Sequence, residues 1–289
     1  IELPEEDKVP GEDLVGYLLR GMYGFRDAAN GWQEDWQETL GSDGYKVGKS
    51  NPALFYNEEK DARGGVHGDD FYVLADRQSI DELGKLLETK YKVRETHRLG
   101  FGAHCVKTAT VLNRVVVLGH DEQGRKFVEI EPDSRHAELI LQTLKLDGQN
   151  TKSVAVPGVK LNDLEVEHRK RMPTLPTEDC RLYRSNVMRA AFLAQDRGDL
   201  GEAVKSLAQG MAKPNAGHMQ DLKHLGRYLV GTPYVANRFT QQKMAKSIVT
   251  AVDSDHAADK LTRKSITGMA QRLGGHTTKQ TSNMQSALG

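Results

Sequence analysis

Two adjacent carboxylates, Asp69 and Asp70, stand between the apolar runs Val66-His67-Gly68 and Phe71-Tyr72-Val73-Leu74. Strand-forming residues on both sides of a Gly-Asp-Asp centre predict a β-hairpin carrying the two acids at its tip. Like charges at a tight turn repel each other, a cost removed either by full solvation or by a divalent cation that the pair holds jointly. Aspartate is common in turns. The doublet taken alone therefore fits both a solvated tip and a metal-binding one.

The remaining composition narrows the class. The longest apolar stretch is Val115-Val116-Val117-Leu118, far below the roughly 20 residues of a membrane span. Ile1 to Gly11 is acidic and holds prolines, unlike a signal peptide. No membrane partner is expected, and an intracellular setting, cytoplasmic or nuclear, is. Cys105 and Cys180 are far apart, which suggests reduced thiols and not a disulfide framework. His97, His104 and Cys105 lie close together but lack a fourth zinc ligand at a usable spacing. The net charge of zero conceals an asymmetry. Residues 1–100 carry 13 Lys and Arg against 21 Asp and Glu, a net of −8, whereas residues 201–289 carry 12 against 5, a net of +7. Carboxylates early and cations late suit a chain that meets both metal and polyanion. There is no glycine-rich phosphate loop, no Gly-x-Ser-x-Gly elbow and no His-Glu-x-x-His helix.

Periodicity places the elements. Trp32, Trp36 and Leu40 recur at helical spacing within Ala28 to Leu40, and Ile80, Leu83, Leu86 and Leu87 within Ser79 to Tyr91, with Ser79 as the expected cap. Pro52 to Tyr56, Thr110 to Leu118 and Lys126 to Ile130 read as strands. Pro132 to Leu144, Leu182 to Ala194, Leu200 to Met211 and Gly217 to Leu229 read as helices, and Gln149 to Pro176 as a polar linker. Ser247 to Val252, Ile266 to Leu273 and the stretch after Gly275 read as strands of a further sheet. Strands, helices, then strands again imply an α+β class in at least two units.

Several short motifs follow in order: Gly21-Met22-Tyr23-Gly24-Phe25-Arg26-Asp27-Ala28, Ser50-Asn51-Pro52-Ala53-Leu54-Phe55, His67-Gly68-Asp69-Asp70 and Arg98-Leu99-Gly100. Next come Arg135-His136-Ala137-Glu138, Val154-Ala155-Val156-Pro157, Tyr183-Arg184-Ser185, Arg227-Tyr228-Leu229-Val230-Gly231-Thr232 and Asp253-Ser254-Asp255-His256, with Ser265-Ile266-Thr267-Gly268 behind. In this order the series resembles the Pol polyprotein of copia-type LTR retrotransposons, from within the reverse transcriptase to the start of ribonuclease H.

The resemblance implies a partial reverse-transcriptase fingers and palm over 1–131, thumb or connection helices over 132–245 with the linker at 149–176, and a truncated ribonuclease H-like domain over 246–289. It implies that Asp69 and Asp70 are catalytic Mg²⁺ ligands of the palm, and that Asp253 is the first metal-binding carboxylate of ribonuclease H. It places Tyr23, Gly24, Arg26 and Ala28 beside template and incoming nucleotide, and Leu99-Gly100 at the start of the segment steadying the primer end. The parent enzyme's partners would be an RNA template and a DNA primer. For Arg184, Lys223 and Arg227 a solvated helix face is the expectation, ahead of a backbone contact.

The chain also departs from the family pattern. His67 stands where the family has Tyr, Asp27 where it has Gln, Ala29 where it has Pro, and His256 where it has Trp. A further palm aspartate is expected upstream of the segment matched by Ile1-Glu2-Leu3-Pro4, and the ribonuclease H glutamate just beyond Gln285-Ser286. Each metal site is therefore expected to be incomplete in this chain. The alternatives are a non-catalytic nucleic-acid-binding module and a decayed retroelement product.

Overall fold

A computed structural model describes the chain apart from Arg20, Tyr23 and residues 256–263 and 286–289. The described residues form seven α-helices and three antiparallel sheets, a mixed architecture compatible with the expected α+β class. They divide into two compact units, Ile1–Thr96 and His97–Gly289. No helix among them is long and apolar enough to cross a membrane.

In the first unit, α1 (Ala28–Gly41) precedes a four-stranded meander of β1 (Lys46–Val47), β2 (Leu54–Asn57), β3 (Ala62–His67) and β4 (Asp70–Leu74), followed by α2 (Arg77–Glu88). The apolar stripe of α1 delivers Trp36 and Leu40 to a core with Tyr45, Phe55, Ala62, Val66, Leu83 and Leu87. Gly64 is required here, since a Cβ at that position would meet the Phe55 ring at 2.3 Å. Helix α2 starts before the expected Ser79: Asp76 is its cap and accepts from the Ser79 amide at 3.0 Å. Ser79 is buried, and its hydroxyl donates to the same carboxylate at 2.9 Å. The aspartate immediately before the helix outcompetes the serine because its two oxygens accept from both the amide and the hydroxyl of Ser79.

The second unit opens with β5 (Thr108–Val111), β6 (Arg114–His120) and β7 (Lys126–Glu131). Leu112 and Asn113, with φ of 48° and 64°, make the two-residue turn between β5 and β6. Helices α3 (Arg135–Thr143), α4 (Asp163–Lys170), α5 (Thr177–Leu193), α6 (Gly201–Gln209) and α7 (Ala216–Gly231) follow, then β8 (Asn237–Thr240), which pairs with β7 to complete a second sheet. Helix α4 forms inside the stretch read as linker, where Asn162 and Glu165 make a capping box. Helices α3, α5, α6 and α7 bury Ile140, Tyr183, Val187, Ala190, Leu222 and Leu225 in one core. Strands β9 (Ile248–Ser254), β10 (Ile266–Leu273) and β11 (His276–Met284) form a third sheet with β10 in the centre.

Candidate metal and nucleic-acid site

The paired aspartates lie where the alternation placed them. Strands β3 and β4 pair in register from Arg63↔Leu74 to His67↔Asp70, which leaves Gly68 and Asp69 as the turn and Asp70 as the first residue of β4. Gly68 adopts φ +65°, a conformation glycine takes without strain. Asp69 and Asp70 are both exposed, so water screens their mutual repulsion.

The tip is braced from α1. The Trp32 indole N–H donates to the Gly68 carbonyl at 2.7 Å. The same ring meets Phe71 of β4 edge-on at 6.2 Å and Tyr91 at 5.1 Å. The Tyr91 hydroxyl donates to the Asp35 carboxylate at 2.6 Å and lies 3.0 Å from the Thr39 hydroxyl. Lys90, bonded to Asp35 at 2.6 Å, and then Tyr91 hold that carboxyl below the usual aspartate range, while burial pushes the Tyr91 hydroxyl up. Sequence periodicity identifies Trp32 as part of a core stripe; its bond to the turn carbonyl has no signal in the sequence.

Helix α1 also carries the expected template-side segment. Ala28 is its first residue, one turn before Trp32. Gly24, at φ +95°, and Arg26 are exposed in the turn before it, and Tyr23 lies outside the described residues. Asp27, the departure from the family's glutamine, occupies the N-cap position without a side-chain cap bond. A negative charge there complements the helix dipole. The structure thus brings Trp32, one turn into α1, to the hairpin tip.

Two exposed carboxylates suit a hard divalent cation in kind. Among the described residues, however, no group of three His, Cys, Asp or Glu could hold a metal. That statement covers His97, His104 and Cys105 as well as the tip.

Asp253 belongs to the second unit. It sits exposed on β9 opposite Gly268 of β10 and lines a cleft of about 410 Å³ with Glu202, Gly198 and Ser282. The Glu202 carboxylate is already engaged, accepting from Lys205 at 2.7 Å and from the Ser282 hydroxyl at 2.6 Å. His256 lies outside the described residues. Arg184 donates to the carbonyls of Met211 and Ala212 at 2.7 and 3.0 Å, and Arg227 to the Lys152 carbonyl at 2.8 Å. These two guanidinium groups bind carbonyls near the end of α6 and in the segment before α4.

The chain is similar to retrotransposon Pol polyproteins along nearly its whole length. Two curated relatives carry that likeness. The retrovirus-related Pol polyprotein from transposon RE1 of Arabidopsis thaliana is 25% identical over 287 residues, 96% of this chain. Its counterpart from transposon RE2 of the same plant is 26% identical over an equal share. The chain spans 18% of the length of each. No protein-family model and no solved structure matches it.

Proposed function

We propose that this chain is the part of a copia-type Pol polyprotein that carries the palm hairpin of an RNA-directed DNA polymerase and the opening strands of a ribonuclease H-like domain. The observation that carries the reading is the exposed Gly68-Asp69-Asp70 tip, braced by Trp32 of the helix that begins at Ala28. Strands β9 to β11, with Asp253 on the first, support the ribonuclease H part. In this reading Asp69 and Asp70 ligate Mg²⁺, Gly24, Arg26 and Ala28 border template and nucleotide, and the working partners are an RNA template and a DNA primer in cytoplasm or nucleus.

A bound pair of Mg²⁺ ions would activate the primer hydroxyl and hold the leaving phosphate. Asp69 and Asp70 offer oxygens to such ions from a single turn. Six or so ligands are needed around each ion, and no third acidic or imidazole side chain joins the pair among the described residues. In this reading the polypeptide alone is catalytically incomplete. Lack of a bridging carboxylate removes several kcal/mol of transition-state stabilisation, about a thousandfold in rate.

Primer extension on a primed RNA template with Mg²⁺ or Mn²⁺ tests both halves of the proposal. The expected result is no incorporation by this chain, together with weak Mn²⁺ binding that broadens nuclear resonances around Gly68 to Phe71. Broadening that persists in the Asp69→Ala, Asp70→Ala variant would remove the metal assignment. Incorporation that vanishes in that variant would overturn the incompleteness and keep the polymerase. A salt-dependent, metal-independent affinity for nucleic acid with no such broadening would favour the non-catalytic binding module.

A further inference from the structure

Helix α4 has little apolar hold on the rest of the second unit, since Val166 is its one buried residue. Bonds to the start of α7 keep it in place. Arg169 pairs with Asp221 and donates to the Gly217 carbonyl at 2.9 Å. The Asn215 side-chain amide donates to the Arg169 carbonyl at 2.9 Å. The chain after α4 meets the same point, with Thr174 bridged to Asn215, the Leu175 amide donating to Pro214 and the Ala216 amide to Pro173. Asn215 is thus both the cap of α7 and a tether of α4.

His218 fixes that asparagine. Its backbone amide donates to Asn215 Oδ1 at 3.0 Å, and the Asn215 backbone amide donates to its Nδ1 at 3.0 Å. A backbone N–H can only donate, so Nδ1 is the acceptor and the imidazole is neutral. An imidazolium carries protons on both nitrogens and would set one against the Asn215 N–H. The ring has little room to turn away. It packs over Gly210, where a Cβ would stand 2.6 Å from it, and lies 6.1 Å from the Tyr183 ring of α5, centroid to centroid. The Tyr183 hydroxyl is engaged elsewhere, donating to the Leu207 carbonyl at 2.6 Å. The charged groups facing the imidazole are Asp221 on its own helix and Arg169 from α4. Burial, opposed by Asp221 and aided by Arg169, holds the imidazole below its ordinary range.

We propose that His218 and Asn215 form an acid-released clasp, in which the neutral imidazole keeps α4 on α7 and a proton on Nδ1 frees it. Undocked, the imidazole titrates at its ordinary value; docked, it titrates lower. Its contribution to docking is therefore fully present above the ordinary value and is lost as pH falls through the docked one. Asp221 works the other way, because burial raises its carboxyl and the docked state holds that proton more tightly. The clasp belongs to the second unit and does not depend on the aspartate tip or on the polymerase reading.

The test is hydrogen exchange of the full chain, followed by nuclear magnetic resonance across the imidazole range. Opening of α4, read at the Val166 amide and corrected for intrinsic exchange, should rise by up to about tenfold per pH unit between the two imidazole values and then level off. The Leu222 and Leu225 amides of α7 should keep their protection. His218→Gln supplies an amide oxygen that accepts from the Asn215 N–H without titrating, and should abolish the acid release while α4 stays docked at neutral pH. Asp221→Asn should keep the release. Acid opening that survives in His218→Gln, its loss in Asp221→Asn, or loss of α7 protection together with that of α4 would each overturn the proposal. Should His218→Gln undock α4 at every pH, the wild type decides: opening that tracks the titration of the His218 ring supports the clasp, and opening at a different pH removes it.

Discussion

The helical core of the second unit buries Tyr183, Val187, Ala190, Leu222 and Leu225 completely, whereas every residue of β9 in the same unit is exposed, Val249 at 60% and Val252 at 65%. Both segments are rich in apolar side chains, so composition alone does not separate them. What differs is the partner surface. Four helices supply apolar stripes that interlock, while the sheet of β9, β10 and β11 meets α6 mainly through polar contacts at β11. There, Ser282 donates to Glu202 at 2.6 Å and Lys205 donates to Ser282 at 3.1 Å. Stability in this unit should therefore be concentrated in the helices and nearly absent from β9.

The sharpest way to break that comparison is a matched pair of truncations. Leu225→Ala, at a fully buried position, should cost about 3–4 kcal/mol in urea unfolding of the whole chain. Val252→Ala should cost about 0.5 kcal/mol or less. Equal losses would mean that β9 is covered in solution and that the contrast is false.

A smaller effect sits where α4 docks on α7. Arg169 pairs with Asp221 and donates to the Gly217 carbonyl at 2.9 Å, and the second Asp221 oxygen is buried without a partner. Burial raises the Asp221 carboxyl above its ordinary value despite the opposing pull of Arg169. Burial likewise depresses the His218 imidazole. The folded state thus holds the Asp221 proton more tightly than the unfolded chain does. The contribution of this group to stability is greatest below the unfolded pKa and falls as pH rises through the folded one. Arg169→Met removes the one ion partner that carboxylate has among the described residues and should cost about 2 kcal/mol at neutral pH, discounted for partial exposure. Adding Asp221→Asn should restore most of the loss and flatten the acid limb of the pH–stability curve. If Arg169→Met is harmless at neutral pH, the ion pair contributes nothing to docking α4.

These contrasts also show what the sequence made legible. Apolar spacing located α1, α3, α5, α6 and α7, because burial of one face is what fixes each of them. Strands β9 and β10 were legible through their runs of strand-forming residues, although every residue of β9 is exposed. The doublet Asp69-Asp70 announced its turn through the strand-forming residues beside it. Helix α4 was hidden by its charges, although Asn162 and Glu165 are a capping signal that composition outweighed. Strand β8 was missed because Asn237-Arg238-Phe239-Thr240 owes its existence to pairing with β7 and carries little pattern of its own. The Trp32 bond to Gly68 and the Asn215 bond to Arg169 join residues distant in sequence, and such contacts leave no local trace.

The seam between α6 and β11 tests the comparison at finer scale. A Cβ at Gly198 would stand 2.2 Å from the Gln280 amide oxygen, so a side chain there would have to displace the end of Gln280. Ser282→Ala deletes a hydroxyl that both donates to Glu202 and accepts from Lys205, yet leaves those two partners free to bond each other at 2.7 Å. The expected cost is about 1 kcal/mol or less, with hydrogen exchange accelerating in β11 and not in α7. Uniform acceleration across both would show that sheet and helices open as one unit.

The smallest expected change in stability comes from charging β9 itself. Its seven residues pair on one side with β10 from Ile248↔Leu273 to Ser254↔Thr267, and no other described strand borders it. Ile248, Val249 and Val252 are more than half exposed. An apolar strand with an open edge is a template for pairing with another chain, and a lysine on it opposes that without disturbing a core. Val249→Lys with Val252→Lys should therefore shift the unfolding free energy by about 0.5 kcal/mol or less, while concentration-dependent light scattering falls relative to the unmodified chain. A loss of more than about 2 kcal/mol would place these valines in a packed interface. Unchanged scattering would show that the open edge does not drive association, and that the apolar character of β9 has no consequence for the isolated chain.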